Sequence, residues 1–403
     1  MRGVTQTTVA DWQEMARGFG AVVCASTADF DAPLWTNKQH LMSRVASEIP
    51  VLYVESLGLR RPRPTRRDAL RVACRVRAAT GRQPGSGVEG LEIASPLVLP
   101  YHGLRAARAV NGHLLASGLG RRVPELPRPR LLWAYSPAVI DELDLSLFDR
   151  ILYHAVDDLG SVPGVPGVVA LLEARLARRA DAVVASADRL ASRLSRFNPN
   201  THLVGNVADV DHFAVALRSP YEPPDVSMLA RPRAIFVGAL SDHKVDWPLV
   251  VEIAARLPDW SFIVIGPPGE ETSMEGWRRA AELPICHVLG SRSYAELPSY
   301  LASADVGLIP YRLTEHTSGI WPLKLVEYLA AGLGVVATPL DALRTRVELP
   351  VALCADSTAF AEAIRAVDRG ARARHARSLS VVDRSWESLL DRIFSVIPAG
   401  AAG

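Results

Sequence analysis

Short apolar runs bounded by glycine, proline and polar clusters recur along this chain, alternating with longer segments of helical period. Ala21-Val-Val-Cys-Ala25 and Val51-Leu-Tyr-Val54 read as buried strands. They flank a helix expected from Asn37 to Ile49, with Leu41, Met42 and Val45 on one face. That order makes a parallel β-α-β unit with a right-handed crossover. Further strands are expected over 130–135, 150–154 and 181–185, with helices over 168–179 and 187–197, the second capped by Ser186. From Arg218 to Arg233 the period lapses among several prolines, which reads as a linker. The pattern then restarts, with strands expected over 234–237, 261–265, 287–289 and 305–309 and helices over 247–257 and 294–303. The fold class is therefore α/β, with two doubly wound sheets.

The most informative stretch follows the last of these strands and runs from Thr317 to Thr338. Pro322 suits the first position of a helix, because its missing N–H costs nothing there and its φ is already set. Gly332 suits the stop, where a left-handed residue is needed. Between them Lys324 and Glu327, three apart, project from one face near the helix start. Thr317, Ser318 and Gly319 lie just before it, where free N–H groups and the helix dipole favour a phosphate. A cation, a carboxylate for vicinal hydroxyls and an amide-lined helix start together describe a sugar-nucleotide site. A capped surface helix with one ion pair is the plainer account of the same residues.

Composition narrows the field. A chain of 403 residues is too long for one ordinary core. A formal net charge of +2 points to neither nucleic acid nor an anionic membrane as a partner of the whole. Cys24, Cys74, Cys286 and Cys354 are scattered, with no metal-ligand spacing, so a reduced cytoplasmic chain without a signal peptide or spanning segment is expected. One stretch departs from the average. From Arg60 to Arg82 arginine dominates and acidic residues nearly vanish, giving either a solvated face or a patch for an anionic acceptor or for peripheral contact with the inner face of a membrane.

Several polar residues sit at expected strand ends, the edge where open parallel sheets collect ligands. His154, Asp157 and Asp158 follow one strand; His154 could meet a sugar or a reacting hydroxyl, or bond within its own loop. The aspartates could bind acceptor hydroxyls or cap the next turn. Lys38 and His40 lie beside the first strand's loop and are acceptor-side candidates, or solvated helix-start residues. Asp209-Val-Asp211 spells a metal motif but falls at a domain junction, and no metal is expected.

Three motifs carry a family resemblance: Gly238-Ala-Leu-Ser-Asp-His-Lys244, Gly290-Ser-Arg-Ser-Tyr-Ala-Glu-Leu297, and Pro322-Leu-Lys-Leu-Val-Glu-Tyr-Leu-Ala-Ala-Gly332. With them the second half resembles the nucleotide-sugar domain of GT-B glycosyltransferases of the family-4 group. Trp35 to Arg44, Asp181 to Ser186 and Asn206-x-x-Asp209-x-x-x-Phe213 look like a teichuronic-acid-transferase subgroup. The resemblance implies two Rossmann-like domains facing across a cleft: an acceptor domain over 1–215, a donor domain over 216–380, and a terminal helix over 381–397 returning to the first. It implies transfer of a sugar, a hexosyl group, from a nucleotide-diphosphate donor to a hydroxyl acceptor, with retention and without a metal or other cofactor. Position by position, Glu327 would hold the ribose, Lys244 and Lys324 the diphosphate, and the backbone at Arg292 the base. Gly238, Gly266, Thr317, Ser318 and Gly319 would complete the donor site, with His154, Lys244 and Glu327 as catalytic residues. Two positions depart from the family pattern. Its first glutamate would fall at Gly319, and its arginine at Ala239. A sugar-nucleotide epimerase of related architecture and a non-catalytic nucleotide-sugar binder are the alternatives.

Overall fold

The computed structural model describes residues 11–32, 35–55, 86–96, 98–99, 101, 104–159, 167–218, 221–268, 275–314, 317, 320–344 and 348–399. The chain forms two compact units, one of Met1–Gly205 with Leu389–Gly403 and one of Asn206–Ser388.

The first unit holds a seven-stranded sheet. Its strands are β1 (Ala21–Ala25), β2 (Val51–Val54), β3 (Leu91–Ala94), β4 (Arg130–Ala134), β5 (Arg150–Ala155), β6 (Ala182–Ala185) and β7 (Thr201–Leu203). The order is β3-β2-β1-β4-β5-β6-β7, every neighbouring pair parallel, with Val22 opposite both Val51 and Leu131. The inner strands are buried along their length, the mark of a sheet covered on both faces. Helix α1 (Asn37–Val45) makes the first crossover and ends earlier than the apolar pattern implied. Helices α2 (Val168–Arg179) and α3 (Asp188–Leu194) follow β5 and β6. Ala187, not Ser186, is the residue before α3; the Ser186 hydroxyl instead donates to the Val156 carbonyl at 3.0 Å, tying β6 to the end of β5.

The second unit repeats the plan with β8 (Arg233–Val237), β9 (Ser261–Ile265), β10 (Cys286–Gly290), β11 (Val306–Ile309), β12 (Gly334–Ala337) and β13 (Val351–Leu353). Their order is β10-β9-β8-β11-β12-β13, again all parallel. Helix α4 (Trp247–Arg256) follows β8 and helix α5 (Leu323–Ala330) follows β11. The division between units falls at Gly205/Asn206, before the expected boundary, and residues 221–233 of the expected linker are not free. There Val226 is fully buried, and Glu222 binds both Arg231 and Arg233, so the segment is fastened to the second unit. Helix α6 (Trp386–Phe394) ends the chain, and from Leu389 it belongs to the first unit. Within that unit Phe394 lies against Trp12, Phe19 and Trp133.

Candidate functional site

In each sheet the strand order reverses once, between β1 and β4 in the first unit and between β8 and β11 in the second. Loops leaving such strands diverge, and the gap between them is where ligands bind in open α/β sheets. The motifs lie there.

In the second unit the loop after β8 is laced to the loop after β11. Val245 pairs with Tyr311, the Arg312 N–H donates to the Lys244 carbonyl at 2.9 Å, and the Asp246 N–H to the Pro310 carbonyl at 2.8 Å. The Lys244 ammonium sits 4.6 Å from the centre of the Tyr311 ring, a cation held against a π face rather than by a carboxylate. Thr317 is fully buried; its hydroxyl donates to the Arg312 carbonyl and accepts from the Thr314 N–H at 2.9 Å. It therefore builds the loop. Ser318 and Gly319 lie outside the described residues.

Helix α5 starts one residue later than expected: Pro322 is extended and serves as the N-cap. Lys324 Nζ donates to Glu327 Oε2 at 2.5 Å, so the charges three apart do meet, with Glu327 buried and Lys324 partly exposed. The helix closes as its sequence implied. Gly332 has φ +78°, the Gly332 N–H donates to the Leu329 carbonyl and the Leu333 N–H to the Tyr328 carbonyl. One contact that no local pattern revealed fixes the helix on the sheet. Tyr328, wholly buried, accepts the Val237 N–H at 2.8 Å on its hydroxyl, at the carboxyl end of β8. The ring reaches there over Gly307, where an added Cβ would lie 2.3 Å from it.

The glycines at the strand ends serve the same packing. Gly266 has φ +150°, and a Cβ there would fall 1.8 Å from the Gly238 carbonyl oxygen. Only glycine lets these two backbones approach, and Gly238 and Gly290 continue the close row through Gly238 N–H to Ile265 and Gly266 N–H to Gly290 bonds. Arg292 turns its side chain away from any ligand role. It binds Asp225 at 2.6 Å, the Tyr300 hydroxyl at 2.5 Å and the Leu289 carbonyl at 2.6 Å, which leaves its backbone as the part able to meet a base.

In the first unit the strand-end residues are buried. Lys38 is only 5% exposed, its ammonium 5.3 Å from the Tyr135 ring centre, and burial holds its pKa below the ordinary lysine value. His154, near the end of β5, accepts the Trp133 indole N–H on Nδ1 at 3.3 Å and stacks on Tyr135 with ring centres 4.9 Å apart. Burial, then the Lys38 charge, depress its pKa from 6.5 to about 3. The Ser136 hydroxyl is buried and makes no hydrogen bond among the described residues, and the buried Tyr135 hydroxyl lies under the influence of the Trp133 indole. The partner of His154 is thus a neighbouring strand, not its own loop. Asp157 is exposed, whereas Asp158 faces Arg193 at 3.4 Å and Arg189 at 4.0 Å. Arg193 also grips buried Glu173, which accepts the Tyr153 hydroxyl, so Asp158 belongs to a network that pins α2 and α3 to β5. His40 lies edge-on to Trp35 at 5.3 Å. The Arg60–Arg82 stretch lies outside the described residues. Asp209 caps a short helix by accepting the His212 N–H at 3.2 Å.

Residues 231–368 match the family model described as glycosyl transferases group 1. That stretch lies within the second unit. A curated relative, TuaH of Bacillus subtilis (strain 168), named as a teichuronic acid biosynthesis glycosyltransferase, is 30% identical over 226 residues. That match takes in 52% of this chain, and the chain spans about 55% of the relative's length. Among solved structures, sucrose-phosphate synthase from Thermosynechococcus elongatus is similar with TM-score 0.65 and 15% identity, over 93% of this chain and 97% of that one. HepE of Anabaena, in complex with UDP and glucose, gives 0.64 and 14% over 94% and 98%. A UDP-forming α,α-trehalose-phosphate synthase from Burkholderia vietnamiensis gives 0.65 and 14% over 93% and 97%. At these identities the structures establish the fold, and the two Rossmann-like sheets are those of the GT-B class. No helix among the described residues is long and apolar enough to cross a membrane.

Proposed function

We propose that the chain is a glycosyltransferase that moves a sugar from a nucleotide diphosphate to a hydroxyl acceptor. The observation that carries the reading is the Lys324–Glu327 pair on the first turns of α5, in a group 1 domain, after a loop laced to that of Lys244 at the switch point. A carboxylate accepts both hydrogen bonds of a vicinal diol, and charge-assisted bonds of this kind are the strong ones, so Glu327 is assigned to the ribose. Lys244 and Lys324 are assigned to the diphosphate. As the bond from the anomeric carbon to the phosphate oxygen breaks, negative charge gathers on that oxygen, and a fixed cation there lowers the barrier. The same two cations would do the work that a divalent metal does elsewhere. The glycines at 238 and 266 keep the strand ends close and open to a ligand.

The acceptor is assigned to the first unit, with Lys38, His40, Asp157 and His154 as its candidates. Retention of anomeric configuration is proposed by analogy with trehalose-6-phosphate synthase, whose structural work addresses transfer with retention. A hexosyl donor is proposed by the same kind of analogy, with HepE, solved with UDP-glucose. The test is product analysis after incubation with UDP, GDP, ADP and dTDP sugars and a panel of hydroxyl acceptors. A new glycoside supports the reading. An epimerised sugar nucleotide, or binding without turnover, replaces it with an epimerase or a non-catalytic binder.

A further inference from the structure

We propose that Trp133 fixes the tautomer of His154, so that the imidazole offers its Nε2–H to a substrate oxygen and does not act as a proton acceptor. The proposal deepens the transferase reading and rests on it for the identity of the ligand.

The argument starts from what an indole can do. Its N–H is a donor and never an acceptor. With Trp133 Nε1 3.3 Å from His154 Nδ1, the imidazole nitrogen must present its lone pair. A neutral ring then carries its one proton on Nε2. A second proton on Nδ1 would turn an attraction into two N–H groups face to face. Tyr135 stacks on one side of the ring with planes 30° apart, and Trp133 is itself completely buried, so both rings are packed in place. Trp133 in turn is held by Phe394, edge-on at 5.9 Å.

The groups around the ring act in the same direction. From α1 comes the Lys38 ammonium, itself under the influence of Cys24 on β1 and Asp157 beyond β5. From β4 comes Trp133, and from the residue just beyond its end Tyr135. The cation opposes a second positive charge, and burial opposes any. Among the described residues nothing bonds to Nε2, and β5 delivers that atom near the edge where ligands of doubly wound sheets bind. Trp133 is therefore a positioning residue: it touches no ligand, yet decides which nitrogen carries the proton.

The full chain labelled with nitrogen-15 histidine tests this without any reaction. The imidazole signals lost in His154→Gln belong to His154. At neutral pH they should show a protonated Nε2 and an unprotonated Nδ1. The reverse pattern, or two averaged nitrogens, overturns the proposal. With an active donor and acceptor, Trp133→Phe should lower turnover about tenfold, the worth of one hydrogen bond, and mix the two tautomers. His154→Gln, whose amide N–H reaches the Nε2 position, should retain more turnover than His154→Asn, whose shorter amide reaches Nδ1. Equal losses in the two overturn the proposal. Should Trp133→Phe fail to fold, the wild-type spectrum decides. Should no sugar nucleotide be turned over, the transferase reading fails, and the spectrum still decides the tautomer.

Discussion

The second unit keeps its site cations partly exposed, Lys324 paired with buried Glu327 and Lys244 against the Tyr311 ring. The first unit, at its own switch point, buries them: Lys38 is 5% exposed and His154 1%. An unpaired charge taken out of water is costly, so groups of the second kind drift toward their neutral forms. The same sheet plan thus yields two chemistries. One edge offers fixed charge, as a diphosphate needs. The other offers oriented hydrogen bonds with little charge, as hydroxyls need.

The largest test of that contrast is Lys244→Ala. Removing one preformed electrostatic contact to a developing charge typically costs two to three orders of magnitude, about 3–4 kcal/mol, in turnover. The same loss is expected here, with an unchanged thermal unfolding curve, since the Lys244 side chain leans on a ring and fills no core. Full activity would mean that the second unit's charge is ornamental and the contrast empty.

Next is Gly307→Ala. A methyl group 2.3 Å from the Tyr328 ring must push α5 off the sheet or distort β11. Overpacking of this kind costs about 1–3 kcal/mol, which denaturant unfolding would read. Nucleotide binding should fall with it, because Lys324 and Glu327 ride on the displaced helix. A variant as stable as the parent, with intact binding, would show that α5 does not need its seat. A smaller effect is expected of Glu327→Gln: about tenfold weaker binding of a nucleotide sugar by calorimetry, as for one charge-assisted hydrogen bond, with the fold intact. Unweakened binding would remove the ribose from this carboxylate.

Why the second unit was the more legible follows from the same contrast. Its signals are local. Lys324 and Glu327 are three residues apart, Pro322 and Gly332 punctuate one helix, and buried parallel strands such as 261–265 are continuous apolar runs. What escaped is long-range or irregular. Tyr328 bonds to Val237 across 91 positions, and nothing near Gly307 announces that a ring will lie on it. In the first unit Leu91-Glu-Ile-Ala94 is an edge strand with Glu92 exposed, too short and mixed to stand out, and Val351–Leu353 in the second is briefer still. Lys38 looked like a solvated helix-start residue because a lone lysine usually is. Tyr135 and Cys24, which sequence alone does not place beside it, lie near its ammonium. Arg292 was found for its place after Gly290, but its grip on Asp225 joins segments 67 positions apart.

A last test probes the buried edge itself, through pH. His154 titrates at about 3 in the folded chain against an ordinary 6.5, so between these values the unfolded chain binds the extra proton and the folded one does not. Stability from this group is therefore complete above about 6.5 and declines as pH falls toward 3. Carboxylates titrate in the same window, so the measurement is the difference between wild type and His154→Gln in unfolding free energy at several pH values. The difference should narrow steadily from pH 6.5 downward; parallel curves would mean that the imidazole is charged or exposed. Lys38→Met separates the causes. Burial is the larger and the ammonium the lesser. Removing the cation should therefore raise the His154 pKa and shorten the pH range over which the slope holds, yet leave most of that range in place. A slope abolished by that one change would make the lysine's charge, rather than the dry surroundings of the ring, what holds His154 neutral at this edge.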